Sequence, residues 1–178
     1  ILELLLARDV PLDETSLGGE TALHGAAATG QISTLELLIS LGSKIDVLDG
    51  AGTSPLALAA ALAQTSAVKA LWANGASLPV EDRCGRTPLF RATLEGHVDT
   101  MLALLAAPGV NVEACDAQGW TPLGAAAAKC RVGALNVLLD FGADLEAVDT
   151  RGQTSLILAA SNRATATGEA LLDAGAHV

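Results

Sequence analysis

Apolar residues along the chain come in short groups with helical spacing, separated by polar or Gly-containing segments. In the clearest stretch, Thr87-Pro88 can begin a helix, because a Thr side chain caps free backbone N–H groups and Pro at the first helical position loses no hydrogen bond. Leu89, Ala92 and Thr93 then fall on one face. After the Gly96-His97 pair, a second apolar group runs through Val98, Met101, Leu102, Leu104 and Leu105. The pattern predicts two short antiparallel helices joined by a tight turn.

This helix pair recurs along the whole chain. The phrase Arg86-Thr87-Pro88-Leu89 returns as Trp120-Thr121-Pro122-Leu123, and looser copies keep the same period. The residue before each Leu lies at Ala22, Pro55, Pro88, Pro122 and Ser155, in steps of 33, 33, 34 and 33 residues. Two further sets of residues have the same period: Asp49, Asp82, Asp116 and Asp149, and Gly42, Gly75, Gly109, Gly142 and Gly175. Pro108 is the inserted residue of the longer step.

Neither predicted helix is long enough to be stable alone in water, so each unit must bury its apolar face on its neighbours. Between units, the stretch 142–152 has short extended segments around a Gly- and Asp-containing turn, which predicts a protruding β-hairpin. Two units depart from the pattern: Ala63-Gln64 replaces the Gly-His pair in one, and 161–168 is rich in Thr, with a Gly, in the last. Since Thr and Gly are poor helix formers, the second helix of the last unit is predicted to be the least stable.

A period near 33 with Thr-Pro-Leu, an Ala-Ala pair and a later Leu-Leu-x-x-Gly-Ala resembles the ankyrin repeat. The resemblance covers the whole chain. It implies an all-α solenoid of stacked ankyrin-type helix pairs with short β-hairpin connections, in which hairpin tips and first helices form a concave face that binds other proteins. In that family, a His at the place of His24 hydrogen-bonds between neighbouring loops.

By this register the chain is a single repeat array. A partial unit at 1–15 comes first, then full units at 16–48, 49–81, 82–115 and 116–148, and a truncated unit at 149–178. The partial unit ends a helix at Leu4-Leu5-Leu6, and Asp9 stands where later units place Gly. Since a non-Gly residue is somewhat unfavourable there, a looser edge is predicted. The array is interpreted as an excerpt of a longer protein.

Composition and charge exclude several classes. The formal charge of -10 argues against general affinity for nucleic acid or an anionic membrane, and no apolar run approaches the length of a membrane span. Three cysteines without metal-type spacing, Cys84, Cys115 and Cys130, fit unpaired thiols in a reducing compartment, so an intracellular location, cytoplasmic or nuclear, is predicted. We expect a monomeric array.

Motifs for chemistry are absent from the sequence: there is no nucleophile elbow, phosphate-binding Gly-rich loop or zinc-protease helix. The histidines His24, His97 and His177 occupy three different places in the repeat, and no metal site is predicted. The periodic Asp residues are expected to accept hydrogen bonds from hairpin backbone groups. The chain is therefore predicted to be neither an enzyme nor a cofactor-binding protein.

What differs between units is the best guide to a binding face. In the ankyrin family, the binding face is often formed by the hairpin tips and the ends of the first helices. From the equivalent positions of this chain we select eight residues for partner binding: Arg83, Arg86, Glu95, Gln118, Trp120, Lys129, Arg151 and Gln153. Arg and Trp are favoured interface residues. The hypothesis is that this locally basic patch binds an acidic segment of another protein.

A structural explanation of the same residues stays open. Trp120 then packs against the next hairpin, and the arginines pair with Asp82, Asp116 and Asp149. Reversal of Arg83, Arg86 and Arg151 to Glu is expected to abolish partner binding without lowering the melting temperature. Trp72, which takes the second position of a Leu-Leu pair, is predicted to pack in the core.

Two alternatives to a plain interaction module are kept. One is a regulatory or targeting ankyrin domain of a larger enzyme or receptor, with its catalytic part outside these residues. The other is a passive spacing array. The step from the resemblance to protein binding is an analogy, because a fold does not fix a function.

Overall fold

A computed structural model describes residues 12–177, and ten short helices of seven to nine residues account for most of its regular structure. Their bounds are α1 Ala22–Ala28, α2 Ile32–Ser40, α3 Pro55–Ala61, α4 Thr65–Ala73, α5 Pro88–Glu95, α6 Val98–Leu105, α7 Pro122–Ala128, α8 Val132–Asp140, α9 Ser155–Ser161 and α10 Thr165–Asp173. The helices alternate as the first and second helix of five units. Most of the predicted partial unit, with Leu4, Leu5, Leu6 and Asp9, lies outside the described residues.

The helices stack in two layers. Each first helix packs on the first helix of the next unit, each second helix packs on the next second helix, and the two helices of a unit pack on each other. One continuous core of Leu and Ala side chains runs between the layers. The second helices all bury a Leu at the equivalent position of this core: Leu38, Leu71, Leu104, Leu138 and Leu171. The predicted all-α solenoid of stacked helix pairs is confirmed.

The start of each first helix follows from local sequence. The Thr87 hydroxyl accepts a hydrogen bond from the Phe90 backbone N–H at 3.2 Å, and Ser54, Thr121 and Thr154 cap their helices in the same way. Pro occupies the first position in α3, α5 and α7. Because the hydroxyl caps one of the free N–H groups and Pro removes another, helices of only two turns can begin at defined positions.

The connections between units are tight turns rather than long β-hairpins. Each predicted Asp caps its own turn: the Asp82 carboxylate accepts from the backbone N–H groups of Cys84 and Arg86 at 2.8 and 3.1 Å. Among the described residues only Val148 and Thr154 form an antiparallel bridge. Neighbouring tips are joined by one backbone hydrogen bond, such as Ala117 N–H to Cys84 O at 2.8 Å. These bonds hold the tips in a row.

The turn within each helix pair is left-handed in every unit, whether or not it carries Gly. Gly30 and Gly96 have positive φ, and so do Ala63, Cys130 and Arg163 at the equivalent positions. A left-handed non-Gly residue costs roughly 1 kcal/mol. The departures from Gly therefore leave the path of the chain unchanged, because packing within and between units determines the turn.

The prediction that Trp72 packs in the core was wrong. Trp72 is 38% exposed and Leu102 is 42% exposed, whereas Leu71 and Leu104 are buried. Adjacent residues on a helix are separated by about 100° of rotation, so Trp72 turns towards the outer face when Leu71 faces the core. Trp72 and Leu102 line a surface groove between α4 and α6.

The second helix of the last unit forms over its full nine residues. A buried Thr167 hydroxyl donates to the Ala127 backbone oxygen at 2.8 Å, which ties α10 to the unit before it. Even so, α10 packs on a neighbour on one side only among the described residues, and it contains Gly168. We expect its amides to exchange with deuterium faster than those of α6 in hydrogen-exchange measurements. Equal protection of the two helices would refute this.

Candidate functional site: a charged cavity between the third and fourth units

A cavity of about 480 Å³ opens between the third and fourth units, where two hairpin tips meet the ends of α5 and α7. Its lining combines charged and apolar side chains: Arg86, Phe90, Leu94, Glu95, Asp116, Gln118, Trp120, Lys129 and Arg131. We call it the charged cavity. Five of the eight residues selected from the sequence line it, namely Arg86, Glu95, Gln118, Trp120 and Lys129.

The Arg86 side chain is engaged in a structural ion pair. Its Nε lies 2.9 Å from Asp82 Oδ2, and Arg91 Nη1 lies 2.7 Å from the same oxygen. Burial alone would raise the pKa of Asp82, but the backbone N–H groups of Arg86 and Cys84 and the two guanidinium groups together hold its pKa below the ordinary value. Arg86 therefore stabilises the hairpin and brings little uncompensated charge to the cavity.

Lys129 and Arg131 are the cations that remain available. Lys129 follows the end of α7, is exposed, and makes no ion pair with a described residue. Arg131 is positioned by a hydrogen bond from its Nε to the Leu94 backbone oxygen at 3.0 Å, and its Nη2 lies 3.7 Å from Glu95 Oε2. Both Arg131 and Glu95 are more than one-third exposed, so this last pair is weak.

Trp120 lies between the cavity and the hairpin of the fifth unit. Its indole Nε1 is buried and has no well-aligned hydrogen-bond acceptor among the described residues. The pKa of Asp149 is lowered, first by the Gln153 backbone N–H and then by the Arg151 N–H and charge, with a smaller contribution from the Trp120 indole. The indole is thus close to the Asp149 carboxylate, as the structural explanation of Trp120 requires.

Three of the selected residues lie outside the cavity lining. The Arg83 side chain lies over Gly52 of the preceding hairpin. Arg151 is 65% exposed, with its Nε 3.6 Å from Asp149 Oδ2. Gln153 contributes its backbone N–H to the same carboxylate. Two of the three arginines at the tips are therefore paired with the Asp of their own hairpin, Arg86 with Asp82 and Arg151 with Asp149.

This pairing corrects one expectation. Reversal of Arg86 to Glu would place a second carboxylate beside the buried Asp82, so the triple reversal is expected to lower the melting temperature. A variant that tests binding must leave Arg86 in place.

Sequence reasoning missed Arg131, Phe90 and Leu94. A signal for Arg131 was present, because it occupies the place of His97 one unit later. The two side chains act alike: His97 Nε2 hydrogen-bonds to the Ala61 backbone oxygen at 3.1 Å, as Arg131 does to Leu94. A polar residue at this position bridges to the preceding unit, and the repeat register could have identified it.

The histidines have structural partners. His24 is buried, its Nδ1 accepts from the Thr21 backbone N–H at 3.1 Å, and its Nε2 lies 3.0 Å from the Thr53 backbone oxygen of the next unit. The predicted bond between neighbouring loops is therefore present. Within residues 12–177, no group of three His, Cys, Asp or Glu side chains is arranged to hold a metal ion. In the same range, no helix combines the length and apolar character needed to cross a bilayer.

Comparison with known proteins addresses the family. The sequence profile described as "Ankyrin repeats (3 copies)" matches residues 23–114 and again residues 101–178. A search of curated proteins gave no match. The two profile matches cover most of the chain and coincide with the stacked helix pairs, so the chain belongs to the ankyrin repeat family.

Proposed function

We propose that this protein binds an acidic segment of a partner protein in the charged cavity and along the adjoining hairpin tips. Ankyrin repeat domains are generally protein-interaction modules and are typically not catalytic. The observation that carries the finer proposal is the state of Lys129. Its ammonium group stands exposed at the cavity with no anionic partner among the described residues, on a chain whose net charge is -10.

The other groups around Lys129 suit an incoming carboxylate. The Arg131 guanidinium is already positioned by its bond to Leu94, so little side-chain entropy is lost when an anion binds. The Asp116 Oδ1 atom, by contrast, accepts from the Gln118 and Trp120 backbone N–H groups at 2.9 and 3.0 Å and is occupied. The half-buried Leu94 side chain offers an apolar surface next to the acid.

Glu95 is expected to oppose the binding of an acidic partner. It was selected as a partner-binding residue, but its carboxylate lies where it competes with an incoming acid for Arg131. Replacement by Gln keeps the size and removes the charge. The affinity for an acidic peptide is expected to rise up to about fivefold, because exposed ion pairs contribute up to about 1 kcal/mol.

Peptide selection tests the proposal directly. Short random peptides displayed on phage are selected on the wild-type protein, and the dissociation constants of the selected peptides are measured by fluorescence anisotropy. We expect the peptides to be rich in Asp and Glu, and Lys129→Glu to weaken their binding by roughly tenfold. Since Lys129 is exposed and unpaired among the described residues, the melting temperature should not change.

Lys69→Glu is the matched control, because Lys69 is exposed on α4 in the groove of Trp72 and Leu102 and undergoes the same change of charge. It should leave the affinity within about twofold. Arg83→Glu combined with Arg151→Glu measures the contribution of the tips while keeping Arg86. Selected peptides without acidic residues, or equal losses from Lys129→Glu and Lys69→Glu, would reject the proposal.

A further inference from the structure

The inserted residue of the third unit changes how its second helix ends. In the other four units, the residue after the terminal Gly donates its backbone N–H to the carbonyl of the buried Leu. The pairs are Ser43 to Leu38, Ala76 to Leu71, Ala143 to Leu138 and Ala176 to Leu171, each at 3.0 Å. In the third unit, the Leu104 carbonyl accepts instead from Ala107 at 3.0 Å. The extra residue Pro108 therefore replaces the usual helix termination.

The consequence is a gap in the packing beside this helix end. Val110 takes the place of Ser43, Ala76, Ala143 and Ala176, which are all buried, yet Val110 is only half-buried. Next to it is a cavity of about 130 Å³ between the second and third units, partly open to solvent. Its walls are mostly apolar, with Leu78, Pro79, Leu89, Leu104, Val110 and Ala114 among the residues that line it. We call it the apolar cavity.

Two polar side-chain atoms at the apolar cavity already have partners. The Thr87 hydroxyl accepts from Phe90 N–H, and the Asn111 side-chain oxygen accepts from Glu113 N–H at 2.9 Å. Glu81 is exposed to solvent. A buried water needs two to four polar partners, whereas apolar cavities of about 150 Å³ stay dry and bind benzene or xenon. The lining favours an apolar occupant over water.

We propose that the apolar cavity is a binding site for one small apolar molecule of about the size of benzene. Leu89 and Leu104, each 2% exposed, form its inner wall, so the occupant contacts the core directly. The site exists because the insertion displaces Val110 from the position that a tighter helix end would give it. It is separate from the charged cavity and does not depend on the proposed partner.

The test is a titration of the protein with benzene, followed by methyl ¹³C NMR. We expect saturable shift changes at the methyl groups of Leu78, Leu89, Leu104 and Val110, and none at Leu23 and Leu35 of the first unit. Two variants should abolish the saturable changes. Ala114→Leu fills the cavity, and deletion of Pro108 restores the spacing of the other units, so both should also raise the melting temperature in the absence of benzene.

The results separate specific from general binding. Linear shift changes without saturation, or changes spread over the Leu methyl groups of all units, would show benzene partitioning onto the surface and overturn the proposal. Unchanged saturable binding in a folded Ala114→Leu protein would also overturn it. Should one variant fail to fold, the other still decides the question, because each removes the same space by a different route.

Discussion

Replacement of Phe90 by Ala is expected to lower the free energy of unfolding by about 3 to 5 kcal/mol. Phe90 is the largest fully buried side chain among the described residues, with 1% of its surface exposed. It lies in α5, which packs on α3, α6 and α7. Removal of the ring leaves a cavity that the short surrounding helices can fill only in part.

The repeat architecture adds to this effect. Each unit of a solenoid contacts only its neighbours, so loss of stability in the middle unit also weakens the coupling between the two ends. Urea denaturation followed by circular dichroism measures the change. We expect a lower urea midpoint, and a transition that is broader or has two steps. The reason is that the flanking units then unfold less cooperatively.

The chain offers a matched control for this variant. Phe141, the only other Phe, follows α8 and is 46% exposed. Phe141→Ala should cost less than about 1 kcal/mol, since nearly half of the side chain stays in contact with water. Equal losses of stability in the two variants would contradict the assignment of Phe90 to the core.

Replacement of Asp82 by Asn is expected to cost about 2 to 3 kcal/mol. The side chain of Asp82 is 2% exposed, and it accepts hydrogen bonds from two backbone N–H groups and two arginines. Asn keeps one acceptor oxygen but loses the charge, which leaves Arg86 and Arg91 without their anion. The estimate is below the full value for a buried pair because Arg86 and Arg91 are 31% and 21% exposed.

The pH dependence of stability should report the same carboxylate. The pKa of Asp82 in the folded protein lies below its ordinary value of 3.8, and so does the pKa of Asp149. The folded state therefore binds fewer protons than the unfolded state in this range. The stabilisation is fully present above pH 3.8 and is lost as the pH falls from there through the folded pKa values.

Asp49→Asn is the control for the loss of stability. Asp49 holds the same hairpin position and accepts from the Ala51 and Thr53 N–H groups at 2.8 Å, but it forms no ion pair with a described residue. It should cost less than Asp82→Asn, because no arginine loses its anion. An Asp82→Asn protein with the acid sensitivity of the wild type would contradict the assignment.

Much of the fold could be predicted from the sequence because its determinants are local and repeated five times. Thr87 and Pro88 define a helix start, Gly142 and its equivalents in the other regular units mark helix ends, and each Asp caps its own turn. The sequence also predicted the bond from His24 to the neighbouring loop, through the resemblance to the family. Trp72 was wrongly predicted to be in the core, because the sequence of two adjacent apolar residues does not show which of the two side chains faces the core.

The sequence by itself determined the period, the helix pairs, the register of the hairpin tips and the place of the insertion at Pro108. Only the tertiary structure decided which charges are engaged: Arg86 and Arg151 pair with carboxylates, whereas Lys129 and Arg131 face the charged cavity. It also showed that the insertion leaves an apolar cavity rather than a bulge on the surface. The physical reason is that capping and helix termination act within a few residues, whereas the surroundings of Lys129 and Arg131 and the packing between units depend on atoms more than 30 residues apart in the chain.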